Sequence, residues 1–258
     1  MAAGHRKHSR RILLGGLSIA TVVSSYIWLT NLPGNNPSLL PPVTDIAEAF
    51  YVNITKGSLF DALGASLFRI TLGFIIGTSM ALVLGCLIGW YKTVEYIFDP
   101  LIEAVRPIPP LAYIPIVIIW FGIEEFSRVL LITIACFLVC IVNVVAGMKN
   151  VPKVYVDAAA TMGATRFQIF RTVAIPAATP FIFTGLRIAL AAAWTTLVAA
   201  ELIAAPSGLG FLLQEGRRYF LTAQVMMIIV IIGVCAFTMD RIFRTIQTRL
   251  TQWSEAHE

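Results

Sequence analysis

The chain has 258 residues, of which 58% are hydrophobic and 13% charged, with a net charge of +5. A water-soluble domain carries about a quarter of its residues as Asp, Glu, Lys and Arg, so this balance excludes an ordinary soluble enzyme and points to a chain dissolved largely in lipid. The surplus of basic residues then needs no nucleic acid to explain it, because Lys and Arg accumulate in cytoplasmic loops of membrane proteins, with some contact to anionic lipid in addition.

A spanning helix needs about 20 apolar residues. Five uncharged runs approach that length, at 12–32, 70–90, 107–123, 129–148 and 219–239. A sixth, 179–205, is interrupted by Arg187 and Glu201 but is too long and too rich in Leu, Ile and Ala for a loop. The expected fold is therefore all-α, a polytopic membrane protein of about six spans. Its expected organisation is a basic cytoplasmic N-terminus 1–11, a first helix 12–32, an extracytoplasmic segment 33–63, a five-helix core 64–245, and a cytoplasmic tail 246–258.

The first run follows Arg6, Lys7, Arg10 and Arg11, as a signal peptide would, yet no A-x-A-like cleavage site follows it and the run is long for a signal, so an uncleaved helix is expected. Next comes NLPGNNPSLLPP, whose prolines and glycine forbid a continuous helix. The second span carries Gly73, Gly77, Ala81, Gly85 and Gly89, small residues every fourth position. Such a ridge lets another helix approach closely in a membrane. The third opens with Arg106 and then Pro107, Pro109, Pro110 and Pro115. Its first turns cannot keep a regular hydrogen-bond ladder, and broken backbone at membrane depth is tolerated only beside protein or a water-filled cavity. That puts Arg106, Pro109 and Pro110 among the candidates for a pathway.

With the N-terminus inside, the cytoplasmic segments hold Arg6, Lys7, Arg10, Arg11, Lys92, Lys149, Lys153, Arg166, Arg171, Arg241, Arg244 and Arg249, against Lys56, Arg128, Arg217 and Arg218 outside. This asymmetry predicts both termini in the cytoplasm. Cys86, Cys136, Cys140 and Cys235 all fall in apolar runs, and Cys136 and Cys140 share a helix face with no His or carboxylate near them in sequence, so small apolar packing is expected and not a metal site. His5, His8 and His257 are confined to the tails.

Between the fourth and fifth spans lies a long polar loop, 150–176. Pro152 suits a first helical turn, Gly163 a helix stop, and Thr165 with Gln168 a capping box opening a second short helix, which Pro176 is expected to end. Ala158, Ala159 and Ala160 make the first of these helices slim on one side.

This loop resembles that of the permeases of ATP-binding-cassette importers, whose signature reads EAA, three residues, G, nine residues, I, any residue, L, P. Here the same spacing gives Asp157, Ala158, Ala159, Gly163, Val173, Ile175 and Pro176. The departures are Asp for Glu, Val for Ile and Ile for Leu. LLPP after the first span, RPIPPLAYIPIVIIWFGI at 106–123 and GLRIALAAAWTTLVAAELIAAPSGLGFLL at 185–213 extend the resemblance to the subgroup that imports taurine, alkanesulfonates and nitrate. The resemblance implies the type I importer permease fold, a cytoplasmic loop whose Asp157, Ala158, Ala159, Gly163, Ala164, Arg166 and Pro176 meet an ATPase, a second permease copy, two ATPase subunits and an extracytoplasmic binding protein. ATP and Mg would belong to the ATPases, since this chain has no G-x-x-x-x-G-K-[ST] loop, and the chain itself is expected to catalyse nothing.

Pathway candidates inside the fifth span are Trp194, Thr195 and Thr196, which offer an indole N–H and hydroxyls to an anion without a trapping charge, and Glu201, an intramembrane acid. Packing is the competing role for Trp194, and a hydrogen bond to backbone the competing role for Glu201. A channel or ion-coupled carrier would need several intramembrane ionisable groups, and Glu201 alone stands out. Within the subgroup the resemblance is greatest to the taurine permeases, so it implies a small anionic cargo, taurine or another sulfonate, with nitrate, aromatic acids and pyrimidine precursors as the alternatives.

Overall fold

The computed structural model describes residues 2–251, with side chains described from Leu14 onward except Ile19 and Ala204. The side chains of Arg6, Lys7, Arg10, Arg11, His5 and His8 lie outside that range, as does the end of the tail with His257. Every regular element among the described residues is helical: α1 (Ala2–Thr30), α2 (Val43–Thr55), α3 (Ser58–Trp90), α4 (Lys92–Val105), α5 (Ile114–Phe121), α6 (Glu125–Lys149), α7 (Lys153–Thr161), α8 (Arg166–Ile169), α9 (Ile175–Ala204), α10 (Leu209–Arg218) and α11 (Thr222–Leu250). Contacts divide the chain into two units, Met1–Leu59 with Leu212–Val230, and Phe60–Phe211 with Ile231–Glu258.

In the first unit the Pro/Gly-rich stretch after α1 is closed by side chains. Asn35 Nδ2 donates to the carbonyls of Thr30 and Leu40, both at 3.0 Å, and the Tyr26 hydroxyl donates to Pro41 O at 2.7 Å. The break was legible from its prolines; the helix that follows it, α2, was not anticipated.

The larger unit is built on the small-residue ridge of α3. A methyl group on Gly73 would strike Ile132 at 2.7 Å, one on Gly77 would strike Cys136 at 2.9 Å, and one on Gly85 would strike Val144 at 2.8 Å; Gly89 meets Met148 in the same way. These partners advance in step along α6, so α3 and α6 run parallel in near backbone contact, the arrangement that glycine ridges permit in lipid. Parallel neighbours require the intervening chain to return to its starting side. Both ends of that return are pinned, since Glu125 at the head of α6 pairs with Arg69 near the head of α3, and Lys149 at the foot of α6 pairs with Glu95, just past the foot of α3, at 2.7 Å.

The return is made by α4 and then a 3₁₀ turn, Pro110–Tyr113, leading into α5, with an 84° bend between the two arms. The expected third span, 107–123, is thus only the second arm of a broken crossing. Its first arm was missed because Lys92, Glu95, Asp99 and Glu103 dilute the hydropathy of an amphipathic helix. The bend falls where the prolines remove backbone donors, and α5 is seated by Ile114 and Val117 against Leu131 of α6 and Ala200 of α9.

Among the described residues four helices are long and apolar enough to cross a membrane by themselves, and the bent arms, taken as one span, make five. The first helix has a shorter apolar stretch, Leu14–Thr30. α9 lies antiparallel on α6: Cys136 meets Ala189, Gly185 sits on Asn143, and Gly147 on Phe181. The tail boundary expected at 246 falls inside α11, which runs to Leu250.

Candidate functional site

The loop 150–176 folds as its caps dictate. α7 follows Pro152 and closes at Gly163, φ +85, with Gly163 N–H donating to Ala160 O at 2.9 Å and Ala164 N–H to Ala159 O at 3.1 Å. That paired helix end places its residue in the left-handed region, where glycine alone is unstrained. α8 opens with the complete capping box: Gln168 N–H donates to the Thr165 hydroxyl and Thr165 N–H donates to Gln168 Oε1 at 2.7 Å.

The second short helix does not stop at Pro176, however. It passes through a π-helical segment, Phe170–Ala174, directly into α9. Pro176 lies in the first turn of α9, where the widened π turn accommodates a residue with no N–H to donate. From Arg166 to Ile203 the chain therefore reads as one long span.

Around this turn Asp157, Ala158, Gly163, Arg166 and Pro176 are exposed, and Ala159 and Ala164 are half-buried. The loop also presents apolar groups to the surroundings: Val154 is 65% exposed, Met162 89% and Phe167 63%. Beside it runs a groove of about 1020 Å³ lined by Tyr155, Ala158, Thr172, Pro176, Pro180 and Phe181.

The pathway candidates do not converge on one point. Arg106 and Pro109 are exposed at the bend, and Pro110 is half-buried there. On α9, Trp194 is 5% exposed and Thr196 2%, both turned into the helix contacts, and the indole Nε1 of Trp194 has no hydrogen-bond partner. Thr195 is exposed, on a stripe with Thr184, Ile188 and Ala191 that recurs at helical spacing and carries no charge.

Glu201 is not a solitary acid. Its carboxylate is fully enclosed and accepts from Arg69 Nη1 at 2.6 Å, from the Ser66 hydroxyl at 2.8 Å and from Gly210 N–H at 2.8 Å. The Ser66 oxygen in turn accepts from Leu209 N–H at 2.9 Å, so α10 begins on a carboxylate and a hydroxyl supplied by two other helices. Gly208 and Gly210 leave no room for a side chain against Glu201. Arg69, 1% exposed, extends the network: Nε and Nη2 grip both oxygens of Glu125 at 2.7 and 2.6 Å, Nη1 reaches Ser207 O at 2.6 Å, and Nη2 reaches the Ser207 hydroxyl at 3.1 Å. Arg128 joins Glu125 at 2.9 Å. Two guanidinium groups thus face two carboxylates, of which Glu125 is half open to the surroundings at 53% exposure and Glu201 is enclosed with its oxygens satisfied, the condition under which a buried ion is tolerated.

Arg69, Glu125 and Ser66 were missed because each lies just outside an apolar run. The available signal was register: Arg69 stands four residues before Gly73, on the ridge face that must meet a neighbour. Arg128, read as a loop charge, is buried within α6. Arg187, whose partner the sequence left open, grips Asp240 of α11 through Nε at 2.9 Å and Nη2 at 3.2 Å.

A layer of apolar helices with a broken crossing, a glycine-zipped parallel pair and a buried ion network defines a polytopic helical membrane protein. Residues 62–252 match the family described as binding-protein-dependent transport system inner membrane component, and the chain belongs to that family. Among its relatives is the taurine transport system permease protein TauC of Escherichia coli strain K12, 39% identical over 95% of this chain and 91% of that protein. The putative aliphatic sulfonates transport permease protein SsuC of Bacillus subtilis strain 168 is 32% identical over 95% and 88%. In fold the chain is similar to the MetNI methionine ABC transporter in its inward-facing conformations, with a TM-score of 0.61, 19% identity, and coverage of 76% of this chain and 98% of that one.

Proposed function

We propose that this chain is the permease subunit of an ATP-binding-cassette importer for a small anionic solute, taurine or a related sulfonate. Two copies form the pathway between them, two cytoplasmic ATPases drive it with ATP and Mg, and an extracytoplasmic binding protein delivers the solute. The carrying observation is the loop 150–176: two short helices about the Gly163 turn, exposed, with Met162 and Phe167 uncovered and the second helix continuous with α9. Asp157, Ala158, Ala159, Gly163, Ala164 and Arg166 form the contact with the ATPase, and Pro176 marks the root of the lever. With α1 as a sixth crossing, both termini and this loop share the cytoplasmic face.

ATP-driven closure of the ATPases moves the paired loops, and α9 carries that motion across the membrane as a rigid element. Such a switch needs nucleotide and binding protein to favour different states. The uncharged stripe of α9 with Thr184 and Thr195, facing its copy, lets an anion pass without a trapping charge, the two hydroxyls donating within the helix to Pro180 O and Ala191 O, and Arg106 at the bend attracts it. The sulfonate assignment is supported by the substrates for which the relatives TauC and SsuC are named and by this charge-free stripe.

The test is a complex of permease, ATPase and binding protein reconstituted in lipid. Taurine with the binding protein raises ATP hydrolysis. A response to nitrate, an aromatic acid or a pyrimidine precursor instead would keep the permease and replace its cargo, and no response to any of them, with no association of the ATPase, would reject the assignment.

A further inference from the structure

Ion pairs between the spanning helices are of two kinds. Arg69 and Glu201 are 1% and 0% exposed, and Ser66, Ser207, Glu125 and Gly210 take up their remaining hydrogen-bonding groups. Arg187 of α9 and Asp240 of α11 are instead 34% and 40% exposed. Two contacts hold them, Nε to Oδ1 at 2.9 Å and Nη2 to Oδ2 at 3.2 Å. An ionised group inside a span is costly enough to point to function, and this pair lacks the enclosing partners that make the other one structural.

The setting suits an anion. Arg187 stands three residues after Thr184 and four before Ala191, so it borders the exposed, uncharged stripe that also carries Ile188 and Thr195. It lies about 16 Å along the helix from Pro176 and about 21 Å from Glu201, too far for that acid to answer its charge. Asp240 is the only acid of α11. Next to it are the exposed Arg241, whose guanidinium lies over the Phe237 ring at 5.3 Å, and Arg244 one turn further on. Three guanidinium groups thus accompany a single carboxylate along these two stretches of helix.

Asp240 also makes the very contact that an oxyanion would make. The Nε and Nη2 edge of a guanidinium presents two parallel N–H groups, which take two oxygens of one acid group together. A bare arginine at that place would retain an anion, whereas a paired one exchanges it. A part-exposed ion pair is worth little, so an arriving anion displaces Asp240 at small cost, and the returning carboxylate displaces the anion.

We propose that Arg187 and Asp240 form an exchange station for the transported anion, the solute's acid group taking Asp240's place on the Nε and Nη2 edge of Arg187 and the returning carboxylate expelling it. The station deepens the importer reading above and rests on it. Selection for an oxyanion falls to Arg187 at the border of the stripe, and release falls to Asp240.

The experiment uses the permease with its ATPase in nanodiscs, without nucleotide or binding protein, and titrates taurine by saturation-transfer NMR of its methylene protons. Asp240→Asn removes the competing charge and keeps the shape, so taurine binds about fivefold tighter, the worth of a part-exposed ion pair, although the complex melts slightly lower. Arg187→Gln weakens taurine about tenfold or more, the loss of a charged hydrogen-bonding partner. Arg187→Lys, which keeps the charge but not the two-pronged edge, falls between that variant and wild type. A pair that only joined α9 to α11 would give two variants that lower the melt together and leave the taurine titration in place. Asp240→Asn binding no tighter than wild type, or Arg187→Gln binding equally well, would overturn the proposal. ATPase association and uptake with the binding protein are measured on the same wild-type complex. Where these stand and the titration fails, the station alone falls; where the complex neither holds the ATPase nor accumulates any anion, the importer reading falls and the station with it.

Discussion

Replacing Arg69 by Met is the sharpest perturbation of the buried network. The substitution keeps an unbranched side chain of comparable reach but deletes five donor contacts at once, two to Glu125, one to Glu201 and two to Ser207. Glu201 then keeps only Ser66 and Gly210 as partners for an enclosed negative charge. Breaking a buried pair from one side costs about 3–5 kcal/mol, because the remaining ion stays desolvated. For a chain of this size that corresponds to a fall of roughly 6–20 °C in melting temperature, read by thermal unfolding of the complex in nanodiscs. The double variant Arg69→Met with Glu201→Leu removes both charges and recovers part of the loss, the remainder being the Gly210 N–H and Ser66 hydroxyl left without their acceptor. If the single variant melts with wild type, or the double variant melts below both single ones, the network does not tie α3 and the head of α6 to the C-terminal end of α9.

Other substitutions separate close approach from conformational freedom. Gly77→Val drives a side chain into Thr133 O and Cys136 and should cost more than the about 1–3 kcal/mol of ordinary overpacking, whereas Gly64→Ala, with open space around it, is neutral or gains up to about 1 kcal/mol; thermal melts compare them. Gly163→Val meets no neighbour but forces a β-branched residue to φ +85, so it lowers ATPase association and transport about tenfold or more while the membrane helices melt near wild type, a loss of at least about 1.4 kcal/mol at the coupling contact. Asp240→Asn loses one charge of the half-exposed Arg187 pair and costs about 1 kcal/mol, and the exchanged pair Arg187→Asp with Asp240→Arg restores part of it in the same melt.

The parts of the molecule legible in the sequence are those where one local force dominates. Glycines every fourth residue announced the α3–α6 contact because lipid leaves close approach as the main source of helix association. Gly163, Thr165 and Gln168 announced the loop because caps are decided within a few residues. Hydropathy failed where a helix carries charge for a tertiary reason. α4 was hidden by its acids, and Arg69 and Glu125 fell beyond the edges of the apolar runs although their helices continue through them. Their meeting depends on the parallel register of two distant helices, which no single window of sequence contains. Pro176 misled for the opposite reason: a proline usually ends a helix, and the π segment before it absorbs the missing hydrogen bond.

Uptake of labelled taurine into proteoliposomes holding the permease, with the ATPase and the binding protein added or withheld, tests the division of labour most directly. Accumulation against a gradient only when both partners and ATP are present is the predicted result. Uptake that persists without the ATPase, or that follows an ion gradient instead of ATP, would contradict a pathway driven through the loop at Gly163.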